Sequence, residues 1–225
     1  MQDPAPDANR EHPVVIPAGD EALPGDLVVP DGARGLVLFA HGTGSSRHSP
    51  RNRFVAEALR RRGLATLLFD LLTPEEDRID QRTAELRFDI DLLARRLVAA
   101  TDWVHGEPAT RGLVLGYFGA STGAAAALAA AVFRPKAAQA IVSRGGRPDL
   151  ATSALPQVRA PTLLIVGGND REVLRLNQKA LKQMSAPAKL QVVPGATHLF
   201  EEPGTMEEVA RLAGEWFEKH LVIER

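Results

Sequence analysis

The sequence predicts an α/β fold: a mostly parallel sheet of about eight strands, with helices on both faces and no large cap domain. Three observations lead there. After a short opening hairpin, strand-like runs alternate with helical patterns along the rest of the chain. The runs Gly35 to Ala40, Leu64 to Phe69, Leu113 to Phe118, Ala137 to Val142 and Pro161 to Val166 are almost continuously apolar, the pattern of strands covered on both faces. Most of these runs also end in small or polar loop residues, and in open parallel sheets the working residues stand just past the carboxyl ends of strands.

Taken in order, His12 to Ile16 and Leu23 to Val29 read as two short strands joined at Gly19-Asp20, an antiparallel edge. The run Gly35 to Ala40 opens the parallel part and ends in His41-Gly42-Thr43-Gly44-Ser45-Ser46. Ser49-Pro50 offers an N-cap followed by proline at the first helical position, and that helix runs to about Arg62, where Gly63 stops it. Leu64 to Phe69 is a strand, and Asp70 to Asp80 reads as a polar, acidic loop. From Thr83 to Val104, apolar residues at Leu86, Ile90, Leu93, Leu97, Ala100 and Val104 mark one face of a long helix.

Leu113 to Phe118 leads through Gly119-Ala120-Ser121-Thr122-Gly123 into an Ala-rich helix, Ala124 to Phe133. The strand Ala137 to Val142 precedes a loop, Arg144 to Ala160, with room for one short turn. Pro161 to Val166 is a strand ending in Gly167-Gly168-Asn169-Asp170, and Glu172 to Met184 is helical. Lys189 to Val193 is the last strand, followed by Pro194-Gly195-Ala196-Thr197-His198, and a helix from near Pro203 closes the chain.

Length and composition bound the function. At 225 residues the chain fits one domain, placed at 12–225 behind a flexible tail at 1–11. A formal net charge of −1 exerts no global pull toward nucleic acid or anionic lipid. The absence of cysteine removes disulfides, thiolate nucleophiles and zinc-thiolate sites. The polar, Pro-rich start is not a signal peptide, and no apolar run approaches the length of a membrane span, so a cytoplasmic location is the expectation.

The stretch 119–123 is a G-x-S-x-G between strand and helix, the setting of a nucleophile elbow. A serine nucleophile needs a base and a group that orients the base. Among six histidines, His198 lies just past the last strand and is the candidate base. His41 precedes the Gly loop and is read as pinning that loop by hydrogen bonds. Asp170 follows its own strand and lies between Ser121 and His198 in chain order, so it is the candidate acid, with Asp149 as its rival. Donors to an oxyanion are expected from the backbone N–H groups of Thr122 and of Thr43, with Gly44 as an alternative to Thr43.

The elements His41-Gly42-Thr43-Gly44, Gly119-Ala120-Ser121-Thr122-Gly123, Asp170 and His198 together resemble an α/β-hydrolase fold enzyme, over about residues 12 to 220. Gly167-Gly168-Asn169-Asp170 and Pro194-Gly195-Ala196-Thr197-His198-Leu199-Phe200 make the chain similar to the small, capless dienelactone-hydrolase-like branch. Dienelactone hydrolases proper use a cysteine nucleophile, so the serine here departs from that pattern.

The short span between Ser143 and Ala160 leaves no room for a cap, while Leu71 to Arg82 is a candidate flap. Arg47, Arg51, Arg53, Arg144 and Arg147 sit at the same end of the sheet and are candidates to favour an acidic substrate group. The reading is a serine carboxylesterase acting on a small-molecule ester of short acyl chain, with no cofactor, metal, nucleic-acid or membrane partner. A thioesterase, lactonase or acyltransferase with the same triad is one alternative, and a non-catalytic binding module is another. Oligomeric state is not legible in the sequence.

Overall fold

A computed structural model describes residues 11–221 of the chain. The hairpin of β1 (His12–Ala18) and β2 (Glu21–Val28) stands at one edge of an eight-stranded sheet. It is followed by β3 (Gly35–Ala40), β4 (Ala65–Phe69), β5 (Val114–Ala120), β6 (Ala138–Arg144), β7 (Thr162–Gly167) and β8 (Ala188–Val193), in the spatial order β1-β2-β4-β3-β5-β6-β7-β8. The β1/β2 and β2/β4 pairs are antiparallel, and every other pair is parallel. This is an α/β-hydrolase-like arrangement. Residues 1–10 of the expected tail lie outside the described residues. Its last member, Glu11, is held by Arg53 at 2.6 Å and by Arg60 at 3.7 Å.

Two apolar layers sandwich the sheet. On one side, α1 (Pro50–Arg61) and α6 (Thr205–His220) cover Val37, Phe39, Phe118, Val142 and Ile165. The other side carries α3 (Ile90–Gly106) and α4 (Thr122–Phe133) against Leu36, Leu38, Leu67, Tyr117 and Ile141. The smallness of α4 has a packing consequence: every residue from Thr122 to Ala131 is buried, so this helix is enclosed all round. Two further helices, α2 (Pro74–Thr83) and α5 (Arg171–Leu181), complete the set. No helix among the described residues is long and apolar enough to cross a membrane.

Two expectations are corrected. The segment expected as an acidic loop contains α2. Thr73 caps it, Pro74 occupies the first turn, and Glu76 reaches back to the Thr73 N–H at 2.8 Å to complete a capping box. The long helix expected from Thr83 starts only at Ile90. Ala84 takes a left-handed conformation that ends α2, a single 3-10 turn spans Leu86–Phe88, and Asp89 accepts from Leu92 N–H as the N-cap of α3. The apolar periodicity through Leu86 continued across a break set by polar capping groups. Between β6 and β7 there are two 3-10 turns, Pro148–Ala151 and Leu155–Gln157, and no inserted domain.

Candidate active site

Register brings the carboxyl ends of the central strands together. Ala40 of β3 pairs with Gly119 of β5, and Ala120 of β5 pairs with Arg144 of β6. The segments that follow, beginning at His41, Ser121 and Gly145, therefore share one end of the sheet.

Ser121 occupies φ 51°, ψ −118°, a sparsely populated conformation for a residue with a side chain. The surroundings over-determine it. Its N–H donates to Arg144 O at 3.1 Å, and its carbonyl accepts from Arg147 N–H and Ala124 N–H, each at 3.1 Å. The flanking glycines are sterically required: a Cβ at Gly123 would run into the carbonyls of Ala40 and His41, and one at Gly119 into the backbone of Ala124 and Gly123. A strained serine between strand and helix, fixed by small neighbours, has the geometry of a nucleophile elbow.

Asp170 and His198 arrive from β7 and β8, and the structure brings them together. Asp170 Oδ2 accepts from His198 Nδ1 at 2.7 Å. Gly167 permits the approach, because a Cβ there would strike the carbonyls of Ala196 and Thr197 in the histidine loop. Asn169 ties the same loops together, its N–H donating to Ala196 O at 2.9 Å and its side chain to Gly195 O at 2.8 Å. With Nδ1 as donor, His198 Nε2 is left as the acceptor. The His198 ring lies against Gly145, about one Cβ contact (3.5 Å) from an ideal side chain there, so it neighbours the residue whose preceding carbonyl receives the Ser121 N–H. The rival acid is occupied elsewhere: Asp149 takes a two-pronged bond from Arg147, at 2.8 and 2.9 Å.

The loop after β3, where an oxyanion donor is expected, is built differently. His41 is buried, bonds Gly42 O through Nδ1 at 3.0 Å, and receives Leu71 N–H on Nε2 at 3.0 Å. Burial, the largest cause, pushes its pKa below the ordinary histidine value, so it pins the loop as a neutral ring. Gly42 backs directly onto Ser121, and a Cβ there would lie 3.1 Å from the serine Cβ. Thr122 N–H stands in the first turn of α4, where no carbonyl of its own helix is available to it. Thr43 N–H, however, donates to Thr122 Oγ1 at 3.0 Å, and the two hydroxyls bond each other at 3.0 Å. Sequence reasoning did not find this contact, since it depends on how two loops 79 residues apart meet.

The family model for the dienelactone hydrolase family matches residues 25–221. The chain belongs to the dienelactone hydrolase family. Its fold is that of an α/β-hydrolase. A crystal structure of a dienelactone hydrolase from Anabaena variabilis is 60% identical to it, superposes with a TM-score of 0.93, and the match covers 95% of this chain and 99% of that one. A Mycobacterium tuberculosis protein provisionally named a phosphoribosyl transferase is 58% identical over 212 residues. That match covers 94% of this chain and 47% of the relative, so the chain spans about half the length of the curated relatives it matches first. An α/β serine hydrolase without lid from Xanthomonas campestris shares the fold at 20% identity, with a TM-score of 0.75 over 96% of this chain and 97% of that one. The serine at position 121 is compatible with membership, because the steric limits of this turn fall on Gly119 and Gly123.

The candidate flap is an anchored element. Glu76 of α2 pairs with the buried Arg96 at 2.6 Å. Asp80 accepts from the N–H groups of Leu86 and Arg87, each at 2.9 Å, and pairs with the Arg87 side chain at 2.7 Å. Leu71, Leu72, Asp77 and Arg87 line one wall of a narrow cleft whose other wall is His41 to Ser45 with Thr122. Larger open depressions of about 580 and 500 Å³ involve Pro135 and its neighbours, past the C-terminus of α4 and at the opposite end of the sheet from Ser121. They contain none of the residues gathered around the elbow.

Proposed function

We propose that this hydrolase is a serine carboxylesterase in which Ser121, His198 and Asp170 form the triad. The observation that carries the reading is the 2.7 Å Asp170–His198 bond at the end of the sheet where a strained serine is held between backbone partners. Ser121 Oγ attacks the ester carbonyl carbon while His198 Nε2 takes its proton. Asp170 keeps the imidazole in the required tautomer and stabilises the imidazolium. The carbonyl electrons move onto oxygen, where the Thr122 N–H at the start of α4 meets them. Collapse expels the alcohol, which receives the proton from His198. Water then adds to the acyl-enzyme through the same base, releasing the acid and restoring Ser121. None of these steps calls for a metal or cofactor.

The reading of a small or short-acyl ester is supported by the lack of a cap between β6 and β7 and by how little space the cleft adjoining Thr122 offers. Thioesters and lactones would pass through the same intermediates, as would transfer to an acceptor other than water. The phosphoribosyl transferase name of the Mycobacterium relative is best assigned to the portion of that protein outside the match. The test is hydrolysis of p-nitrophenyl esters from acetate to palmitate by wild type and Ser121→Ala. Serine-dependent turnover peaking at short chains supports the reading, and turnover that survives in Ser121→Ala refutes it. Failure of a fluorophosphonate to label Ser121 in folded protein would put a non-catalytic binding module first.

An acidic substrate group is supported at one of the five candidate arginines. Arg47 pairs with Asp70 and Asp26, Arg53 with Glu11, Arg147 with Asp149, and Arg51 reaches Glu201 at 3.4 Å. Arg144 has no carboxylate partner among the described residues. It is 6% exposed, its Nε is enclosed without a hydrogen bond, and its guanidinium lies 5.8 Å from the centre of the Phe200 ring. Burial first, and the charge of Arg51 second, push its pKa down to about 10, so it remains a cation at neutral pH. We read Arg144 as a preference for esters that carry a negative group.

A further inference from the structure

The oxyanion side holds a proton that the backbone scheme does not use. A hydroxyl has one donor and two acceptor positions. Thr122 Oγ1 spends one acceptor position on Thr43 N–H, at 3.0 Å. The Thr43 and Thr122 hydroxyls then share one bond, also 3.0 Å long, which consumes one of their two protons whichever of them donates. Neither hydroxyl has a further protein partner among the described residues. One hydroxyl proton is therefore uncommitted, while the Thr43 N–H, expected to serve the oxyanion, is already committed.

The position of this pair makes the imbalance functional. Thr122 directly follows the strained Ser121 and is 3% exposed. Thr43 directly follows Gly42, whose α-carbon faces the Ser121 Cβ. Both threonines line the cleft beside the elbow. The loop that carries Thr43 is fixed by the two hydrogen bonds of His41, so breaking the threonine contact to free an N–H would leave the hydroxyl unpaired beside a rigid backbone. Keeping the contact strengthens the outgoing donor, since a hydroxyl that accepts a hydrogen bond is polarised to give one.

We propose that the Thr43–Thr122 hydroxyl pair, held by the Thr43 N–H, supplies the second donor to the oxyanion, beside the Thr122 N–H. The donor gives a hydrogen bond as charge develops on the former carbonyl oxygen and keeps its proton throughout. This rests on the reading of Ser121 as nucleophile. It differs from the opposite role, in which the Thr122 hydroxyl merely plugs a backbone donor that substrate must unplug.

The two roles give opposite results in Thr122→Val, which keeps shape and removes the hydroxyl. Loss of a donor lowers kcat on p-nitrophenyl acetate by about 100- to 1,000-fold with KM within about threefold of wild type. Loss of a plug leaves kcat unchanged or raises it. Thr122→Ser, which restores the hydroxyl, should recover to within about tenfold of wild type, whereas a purely structural role for the threonine methyl would leave it as impaired as the valine variant. Thr122→Ala, in a helix already rich in buried alanine, gives the same reading should the valine variant misfold. A fluorophosphonate-labelled wild type with folded Thr122→Val and Thr43→Val enzymes that both turn over at the wild-type rate overturns the hydroxyl assignment alone. A wild type that the probe cannot label removes the serine-hydrolase reading and this inference with it.

Discussion

The two sides of Ser121 are built by different means. On the acid–base side, glycines let two loops close in: Gly167 admits the Ala196–Thr197 carbonyls, Asn169 laces the loops, and the Asp170–His198 bond follows. On the oxyanion side, side chains do the closing: His41 bridges Gly42 and Leu71, and Thr43 meets Thr122. The first side fixes the tautomer of His198 through its bond to Asp170. The second commits the Thr43 N–H and one hydroxyl proton within the protein, so its chemistry depends on which protons remain.

The strongest way to break the comparison is at Asp170. Asp170→Asn should cut kcat on a short p-nitrophenyl ester by about ten-thousand-fold through the wrong tautomer of His198. Asp149→Asn, which disturbs only the Arg147 pair, should cost less than about tenfold. A reversal of these two results would reassign the acid. Gly123→Ala attacks both sides at once, because its methyl would push the Ala40 and His41 carbonyls away from this turn. It should lower stability by about 3 kcal/mol or more in urea unfolding and abolish turnover, and a wild-type melting curve would show that the elbow yields more easily than its packing implies.

Smaller effects sharpen the contrast. Arg144→Met should lose about tenfold in kcat/KM on an ester bearing a free carboxylate and little on its neutral counterpart, a ratio one bound charge can produce. Equal losses on both esters would make Arg144 structural. His41 supplies the pH test. Its folded pKa is lowered and its unfolded value is near 6.5, so the unfolded chain binds more protons below that pH. The stabilisation is full above about pH 6.5 and is lost as pH falls from there toward the folded pKa. Its imidazole NMR signals should titrate with a midpoint below about 6.5, and a midpoint at or above that value would contradict its burial. Thr73→Ala, which removes the cap of α2, should cost about 1 kcal/mol and loosen the cleft wall. An unchanged melting temperature would mean that the Glu76–Arg96 pair alone holds that helix.

The sheet, its crossings and the residues that meet at its end were legible because each rests on a local pattern. Continuous apolar runs announced the strands, and Gly119, Ser121 and Gly123 announced the turn between β5 and α4. Chain order then pointed to the loops after β7 and β8, from which Asp170 and His198 come. What was missed is of two kinds. The α2 helix carried a readable signal, Thr73-Pro74-Glu75-Glu76, that was outweighed by its charge and lack of an apolar stripe. The Thr43–Thr122 contact and the isolation of Arg144 carried none, since both are set by which side chains on distant segments meet or fail to meet.

The enclosure of α4 bears on how this molecule would lose activity under stress. Ser121 is followed by ten consecutive residues with almost no contact with water, and a segment of that kind exchanges its amide hydrogens only when the whole domain opens. The backbone that seats Ser121 should therefore survive every partial opening of the molecule. The α2 helix is anchored by polar contacts through Glu76 and Asp80 but buries no apolar side chain, so it opens at a lower free-energy cost than the enclosed α4. Moderate heat or denaturant would then first alter which substrates are accepted, and only at global unfolding erase the reaction itself.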